Sequence, residues 1–345
     1  MDNQNTVEYK GAFRLLNKVA EGGMATVYEA EQLGPEGFTK RIALKVIHPH
    51  YAKKTEFLRL FIDEAKLSAN LMHGNVVQIY QLGEVGGEYF IAMEFIQGPT
   101  LRSVIDRHYE MGSPIPATLA AYVCSRVARA LDFAHNFVSP MGTRLDIVHR
   151  DVSPGNVMIT WDGHIKLADF GIAKARTSFD PAGEQKMRIG KKHYMSPEQV
   201  LGSPVDAKSD VFSLGVVLYE LLALSPLFRE EETSLVVDEV AVQPLPNLRA
   251  RITDLDRSLE EILLMALQRT PSRRATAAQL ASALDAWIME QGEFASPDRL
   301  QGHLAQLFPA SYQPITQVNE ETSFGNLREA LKPRKSTSIL QKLFG

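Results

Sequence analysis

Apolar positions recur along this chain with two periods, and the dominant period changes once. Between residues 13 and 97 the apolar runs are short and rich in β-branched and aromatic side chains: Val27-Tyr-Glu-Ala30, Arg41-Ile-Ala-Leu-Lys-Val-Ile47, Val76-Val-Gln-Ile-Tyr-Gln-Leu82 and Tyr89-Phe-Ile-Ala-Met-Glu94. Runs of this kind predict strands. One stretch interrupts them, Glu56 to Met72, where Phe57, Leu60, Phe61, Ala65, Leu67 and Leu71 fall close to helical spacing. From Leu101 onward the helical period takes over, with helices expected over 117–138, 206–224 and 256–268. Strands first and helices after is the order of an α+β protein.

The character changes again after about residue 290. Ser296-Pro-Asp298 reads as a helix start with proline at the first helical position, and Leu300, Leu304, Leu307 and Phe308 then share one face before Pro309. Residues 310–335 show weak periodicity and are expected to form a linker or a loosely held tail. The chain ends in Leu340-Gln-Lys-Leu-Phe344, an echo of Leu304-Ala-Gln-Leu-Phe308. Coincidence between two short amphipathic ends is the plainer reading; a docking motif is the sharper one.

Composition narrows the classes. The chain has 345 residues, room for two lobes and a generous core. Its net charge of -4, without a long Lys/Arg run, argues against a nucleic-acid partner. The lone Cys124 has no mate for a disulfide and sits in an amphipathic pattern, so it reads as a small buried hydrophobe. Met1 to Thr6 is polar and lacks an apolar signal core. The most apolar run, Leu214 to Leu224, is too short to span a bilayer and carries Glu220, which makes it a central core helix. A cytoplasmic protein without a membrane span is the expectation.

Three short stretches carry chemistry: His149-Arg150-Asp151 with Asn156 shortly after, Asp169-Phe170-Gly171, and Ser196-Pro197-Glu198. They lie downstream of a turn containing Gly22 and Gly23 and of Ala43-Leu44-Lys45. In this order they resemble the protein kinase superfamily, in its bacterial eukaryotic-like (Hanks-type) serine/threonine form, from about Phe13 to about Ile288. The resemblance implies a bilobal fold. A small lobe over 13–97 would hold a five-stranded antiparallel sheet and one main helix. A connector near Phe95-Ile-Gln-Gly98 would lead into a mainly helical lobe over 98–290, with residues 1–12 and 291–345 as extensions. It also implies a non-specific serine/threonine protein kinase, passing the γ-phosphate of ATP to protein hydroxyls with Mg²⁺ in signalling.

Roles follow by matching positions. Lys45 would contact the α- and β-phosphates, with Glu64 as its partner; Asp63 is adjacent, but the register set by Ala65 and Leu67 favours Glu64. Asp151 would be the catalytic base or hydroxyl-orienting carboxylate, and Asn156 and Asp169 the Mg²⁺ ligands, hard oxygen donors that suit this ion. Ala20, Glu21, Gly22, Gly23, Val27, Ala43, Met93, Glu94 and Ile96 would complete the nucleotide site. Taken singly, Asp151, Asn156 and Asp169 are ordinary turn-forming residues; filled together, the positions favour chemistry. His149 would be packed and hydrogen-bonded rather than reactive, and His48-Pro-His50 reads as a loop. Glu198 and Arg274 would form a buried brace and Asp210 would hold the catalytic-loop backbone. These features belong to protein kinases rather than small-molecule phosphotransferases.

The chain departs from the pattern in places. Glycines are expected at 20, 22 and 25, and only Gly22 is present, with Ala20 and Ala25 at the flanks. Weaker nucleotide binding is the expected consequence. Ser153 stands where most relatives carry lysine, and Lys191 where they carry threonine; Lys191 would then supply the missing ammonium as a third catalytic residue. Pro154 fits the serine/threonine form of this loop. Arg150 invites a phosphate on the activation segment, at Thr177 or Ser178, or an acidic substitute such as Glu184. Ser336, Thr337 and Ser338 form a second phosphosite candidate. Protein substrates are the implied partners, with self-association for autophosphorylation. The competing class is a pseudokinase acting as a scaffold or allosteric partner.

Overall fold

The computed structural model describes residues 8–9, 13–170, 193–228, 239–252, 254–292 and 295–312. Its first part is an antiparallel sheet built from β1 (Glu8–Tyr9), β2 (Phe13–Glu21), β3 (Ala25–Leu33), β4 (Thr39–Ile47), β5 (Ile79–Val85) and β6 (Glu88–Glu94), in the order β1-β2-β3-β4-β6-β5. The expected five strands are there, and the N-terminal extension adds a sixth of two residues, pairing with Phe13 and Arg14. A strand added there covers part of an otherwise open edge of β2.

The sheet has two working faces, because side chains alternate along each strand. Phe13, Leu15, Ala30, Ile42, Leu44, Val46, Phe90 and Ala92 cluster together. The opposite face contributes Ala25, Ile47 and Ile91, which pack with Tyr51 of the short α1 (Pro49–Ala52) and with Phe57, Phe61 and Ala65 of α2 (Thr55–Ser68). Lys45 therefore falls on the α2 side, between Leu44 and Val46 of the other face. The helix expected to reach Met72 ends at Ser68. Leu71 beyond it is buried in the core of the following, helical part.

A strand was expected from Val76, but pairing in the sheet starts at Ile79. Val76 and Val77 are claimed elsewhere: Val76 bridges Leu167, the Val77 N–H donates to the Leu167 carbonyl at 3.0 Å, and the Leu167 N–H donates to Asn75 at 2.8 Å. This crossing ties the sheet to the hairpin described next.

The second part is mainly helical: α3 (Leu101–Met111), α4 (Ala117–His135), a hairpin of β7 (Val157–Ile159) and β8 (Ile165–Leu167), α5 (Pro197–Val200), α6 (Ala207–Ala223), α7 (Leu248–Arg251), α8 (Arg257–Ala266), α9 (Ala277–Glu290) and α10 (Pro297–Leu307). Side-chain caps at Thr100, Ser196, Asp206, Asp256, Thr276 and Ser296 satisfy first-turn N–H groups and fix where the helices begin. The run 214–224 is the core helix it reads as: α6 is buried continuously from Ser209 to Leu221. At Gly215 a side chain would meet the Ala266 Cβ at 2.9 Å, so only glycine permits this approach of α8 to α6. Cys124 is fully buried in α4, and burial pushes its thiol up, out of reach of ordinary ionisation. Among the described residues no helix is long and apolar enough to cross a membrane.

The helix after residue 290 belongs to this packing. Leu300, Leu304 and Leu307 are buried in the same core, and Arg107 of α3 donates to the Leu307 carbonyl at 3.2 Å. Trp161 meets Phe308 and Tyr312 edge-on at 6.1 and 5.8 Å. The remainder of the tail, 313–345, with Ser336, Thr337, Ser338 and the terminal Leu340–Phe344 motif, lies outside the described residues.

Candidate active site

The frame of the site is a buried carboxylate. Asp210, on the first turns of α6 and 1% exposed, accepts the backbone N–H of His149 at 2.8 Å and of Arg150 at 2.7 Å. Its Oδ2 also faces His135 Nε2 at 2.8 Å. These bonds hold the segment before Asp151 in a shape the chain would not otherwise take, since Arg150 has φ of +65°. His149 is fully buried. Its Nε2 donates to the Ala168 carbonyl at 3.0 Å, its Nδ1 accepts the Asp151 N–H at 3.2 Å, and its ring lies 4.6 Å from that of Phe170. A carbonyl on one side and an N–H on the other fix a neutral tautomer, and burial lowers the pKa further. The histidine is packed, as expected, and joins two segments of the site.

The β7–β8 hairpin decides which residues meet. Val157 pairs with Leu167, so Asn156, just before β7, lies beside Ala168 and Asp169, just after β8. The Ala168 N–H donates to the Asn156 carbonyl at 2.8 Å. The side-chain amide of Asn156 donates to the Asp151 carbonyl at 2.8 Å and to Asp151 Oδ2 at 3.0 Å. With Nδ2 committed to Asp151, the amide oxygen is the Asn156 atom left to serve as a hard donor. Asp169 has φ of +54°, a left-handed conformation that a short polar side chain tolerates.

Lys45 closes the arrangement from the sheet. Its ammonium lies 3.0 Å from Glu64 Oε1 and 2.9 Å from Asp169 Oδ1. Glu64, not the exposed Asp63, is the partner on α2. Burial alone would depress the lysine pKa, but the carboxylates of Asp169 and Glu64 outweigh it and hold the ammonium protonated well above its usual range. Burial pushes Glu64 up, and Lys45 opposes that push. The arrangement is a fixed positive charge between two acids on separate parts of the chain.

The remaining nucleotide-site candidates sit on β2, β3, β4 and β6, in the β2–β3 turn and just past β6. In the β2–β3 ladder Ala20 pairs with Val27 and Glu21 with Thr26, and the Gly22 N–H donates to the Ala25 carbonyl at 2.9 Å. Gly23 follows in the same turn. A Cβ on Gly22 would stand 3.3 Å from the Ala25 carbonyl oxygen, which leaves little room for any other residue. Ala20 is exposed, whereas Ala25 is buried against Ile47 and Tyr51. Ala43 pairs with Met93 in the β4–β6 ladder and is buried, as is Ile96. Of the candidates, Lys45, Glu64, Met93 and Asp169 come together around one small pocket, with Ile91 and Phe170 also in its wall. The Glu94 side chain is committed elsewhere, accepting from Lys166 at 2.9 Å and from the Gln78 N–H at 3.2 Å. Its backbone N–H is committed as well, donating to the Gln78 carbonyl at 2.8 Å, which leaves the Glu94 carbonyl as the group that could meet a ligand.

The expected brace is present. Arg274, with a side chain wholly excluded from solvent, donates to Glu198 at 2.7 and 3.2 Å, and Ser209 donates to the same carboxylate at 2.5 Å. Gln199 reaches back to the Arg150 carbonyl at 3.0 Å, coupling this segment to the Asp151 loop. Sequence reasoning missed a second cluster, in which Glu220 accepts from Arg102 at 3.0 Å and from the Tyr194 hydroxyl. Glu220 stood out in the sequence only as a charge in an apolar run, and nothing local named its partners. Ser153 is 4% exposed, and its hydroxyl has no hydrogen-bond partner among the described residues. Lys191, Thr177, Ser178 and Glu184 lie outside the described residues.

Comparison with known proteins shows the family and the fold. The family model described as "Protein kinase domain" matches residues 13–284. The tyrosine-protein kinase MasK of Myxococcus xanthus is 38% identical over 306 residues, covering 86% of this chain and 46% of the relative. The serine/threonine-protein kinase PrkC of Bacillus subtilis is 32% identical over 290 residues, covering 82% and 42% respectively. The chain thus spans less than half the length of these two curated relatives. Among solved structures, the PknI kinase domain of Mycobacterium tuberculosis superposes with a TM-score of 0.60 at 28% identity, covering 83% of this chain and 99% of that one.

Proposed function

The chain belongs to the protein kinase family, and on that premise we propose that it transfers the γ-phosphate of ATP to serine and threonine hydroxyls of proteins. One observation carries the reading: Lys45 lies between Glu64 and Asp169 while Asp151 and Asn156 share the loop beside them. In this proposal Lys45 grips the α- and β-phosphates. The Asn156 amide oxygen and the Asp169 carboxylate hold Mg²⁺, which supplies neutralisation of phosphate charge when bound. Ala20, Glu21, Gly22, Gly23 and Val27 cover the phosphates; Ala43, Met93, the Glu94 backbone and Ile96 border the base.

Asp151 orients the acceptor hydroxyl in line with the γ-phosphorus. The acceptor oxygen bonds to phosphorus as the bond to the β–γ bridging oxygen breaks, the hydroxyl proton passes to the Asp151 carboxylate, and ADP leaves. Positioning and charge do most of the work in such a transfer.

The orphaned Ser153 hydroxyl supports the exchange read from the sequence, in which Lys191 provides an ammonium that position 153 lacks. Turnover should fall far more in Lys191→Ala than in Lys192→Ala; equal small losses would remove Lys191 from the reaction. Autophosphorylation between copies, at Thr177 or Ser178, and a place in cytoplasmic signalling, where ATP and Mg²⁺ are abundant, complete the proposal. Fully active protein unmodified at both residues by mass spectrometry would count against the phosphosites.

A second reading has one observation in its favour. The MasK relative, at 38% identity, is named a tyrosine-protein kinase. Transfer of ³²P from ATP to generic protein substrate, followed by phosphoamino-acid analysis, separates the two: phosphoserine and phosphothreonine are expected, and phosphotyrosine alone would reassign the acceptor. No transfer by the unmodified protein, at the level of an Asp151→Asn control, would sink both and return the scaffold reading.

A further inference from the structure

The turn assigned above to the phosphates lacks glycine at two expected places, Ala20 and Ala25, yet one side chain outside it holds it in shape. His48 follows β4 and precedes Pro49, whose ring keeps it extended at φ −65° and ψ 140°. From there its backbone N–H donates to the Met24 carbonyl at 2.8 Å. Its ring reaches the same turn at two more points: Nδ1 lies 3.2 Å from the Gly23 carbonyl oxygen and Nε2 lies 2.9 Å from the Thr26 hydroxyl. A carbonyl can only accept, so Nδ1 carries the proton; in the neutral ring Nε2 then accepts from the Thr26 hydroxyl. Both ring nitrogens are satisfied by the neutral imidazole.

The anchor is itself anchored. The His48 ring lies 5.7 Å from that of His50, which lies 4.1 Å from Tyr51, which in turn packs 4.9 Å from Phe57 on the helix that carries Glu64. Met24 packs into the same cluster. Because a trans peptide sets C=O and N–H on opposite sides, fixing the Gly23 carbonyl toward His48 turns the Met24 N–H away from the imidazole.

We propose that His48 is a positioning residue for the triphosphate: it holds the glycine-containing turn in the conformation that presents backbone N–H groups to phosphate oxygens. This rests on the kinase reading above. Successive N–H groups in a turn form an anion-binding concavity, and a turn held in advance avoids the ordering cost at the moment of binding. The residues read from the sequence as a plain loop acquire a role in nucleotide affinity.

Titration calorimetry of the full chain with MgATP, MgADP and adenosine tests this, with steady-state kinetics alongside. His48→Ala should weaken MgATP and MgADP by about tenfold, on the scale of one or two lost hydrogen bonds, and raise KM for ATP more than it lowers kcat. Adenosine, which has no phosphates, should bind as before. His48→Gln, which keeps a donor and an acceptor, should recover part of the loss. An unmodified protein that binds no MgATP would overturn the kinase reading itself. An unmodified protein that binds it, with His48→Ala either equal to it or losing adenosine and MgATP in equal proportion, overturns the role of His48. If His48→Ala does not fold, Thr26→Val removes one arm of the clamp, and its MgATP affinity decides the question in the same way.

Discussion

The ammonium of Lys45 and the carboxylate of Asp169 lie 2.9 Å apart although 124 positions separate them in the chain. The contact joins the sheet to the hairpin-bearing part, and Glu64 completes it at 3.0 Å. Lys45→Met would leave two acids facing one another without their shared cation. Phosphoryl transfer is expected to fall by at least about 10²-fold, the scale seen when one preorganised charge-stabilising group is lost. Initial rates measured on protein whose melting curve shows it folded would check this, and retained turnover would contradict the assignment of Lys45.

Asp151→Asn separates orientation from proton acceptance. Asn156 donates to Asp151 Oδ2, and an amide oxygen can still accept that bond. The loop should therefore hold its shape and MgATP should bind nearly as well. Transfer should fall by about 10²- to 10⁴-fold, the usual contribution of a general base. A variant with near-normal turnover would show that Asp151 takes no proton.

Arg274 and Glu198 form a buried ion pair, and Arg274 also donates to the carbonyls of Gln268, Lys208 and Arg269. Arg274→Ala would strand Glu198 in a site it cannot leave, at a cost of about 3–5 kcal/mol in urea unfolding. Replacing both, as Glu198→Gln with Arg274→Met, should cost less than the single change. Burial alone would raise the Glu198 pKa, but Arg274 and Ser209 hold it below the ordinary 4.5. The unfolded chain then binds its proton more readily, so this pair stabilises above pH 4.5 and its contribution is lost as pH falls below it.

His108 of α3 and His303 of α10 face each other with Nε2 atoms 2.9 Å apart and rings nearly parallel. Burial lowers the pKa of each below 6.5, His108 and Arg299 adding to the effect on His303, while the Ser113 carbonyl opposes it at His108. Because the unfolded state takes up the proton first, docking of α10 is secure above pH 6.5 and weakens as pH falls through that value. Trp161, packed on Phe308 and Tyr312, should report the change as an emission shift between about pH 8 and pH 5. His303→Gln should flatten the transition; an unchanged profile would place its origin elsewhere, with the buried His149 the next group to test.

Much of this was legible in the residues. The strong helical periods over 117–138 and 206–224 correspond to α4 and α6, and Ser296-Pro-Asp298 does start α10. Strand β2 was harder to read, because register shifts after Leu15 and after Lys18 break the alternation that marks a strand, and most of its second half is exposed. Val76 and Val77 looked like strand residues and are buried, but against Leu167 rather than in the sheet. Apolar content announces burial without saying what covers it.

The order of elements, the buried faces of α2 and α10, and the candidacy of Lys45, Glu64, Asp151, Asn156 and Asp169 were legible in the chain, since periodicity and motif are local. Which groups meet was not. That Asp210 grips the backbone of His149 and Arg150, that Glu220 takes Arg102 and Tyr194, and that His48 clasps the Gly23 turn depends on packing between distant segments. A side chain records that it needs a partner; only the fold, by balancing every burial at once, determines which one it gets.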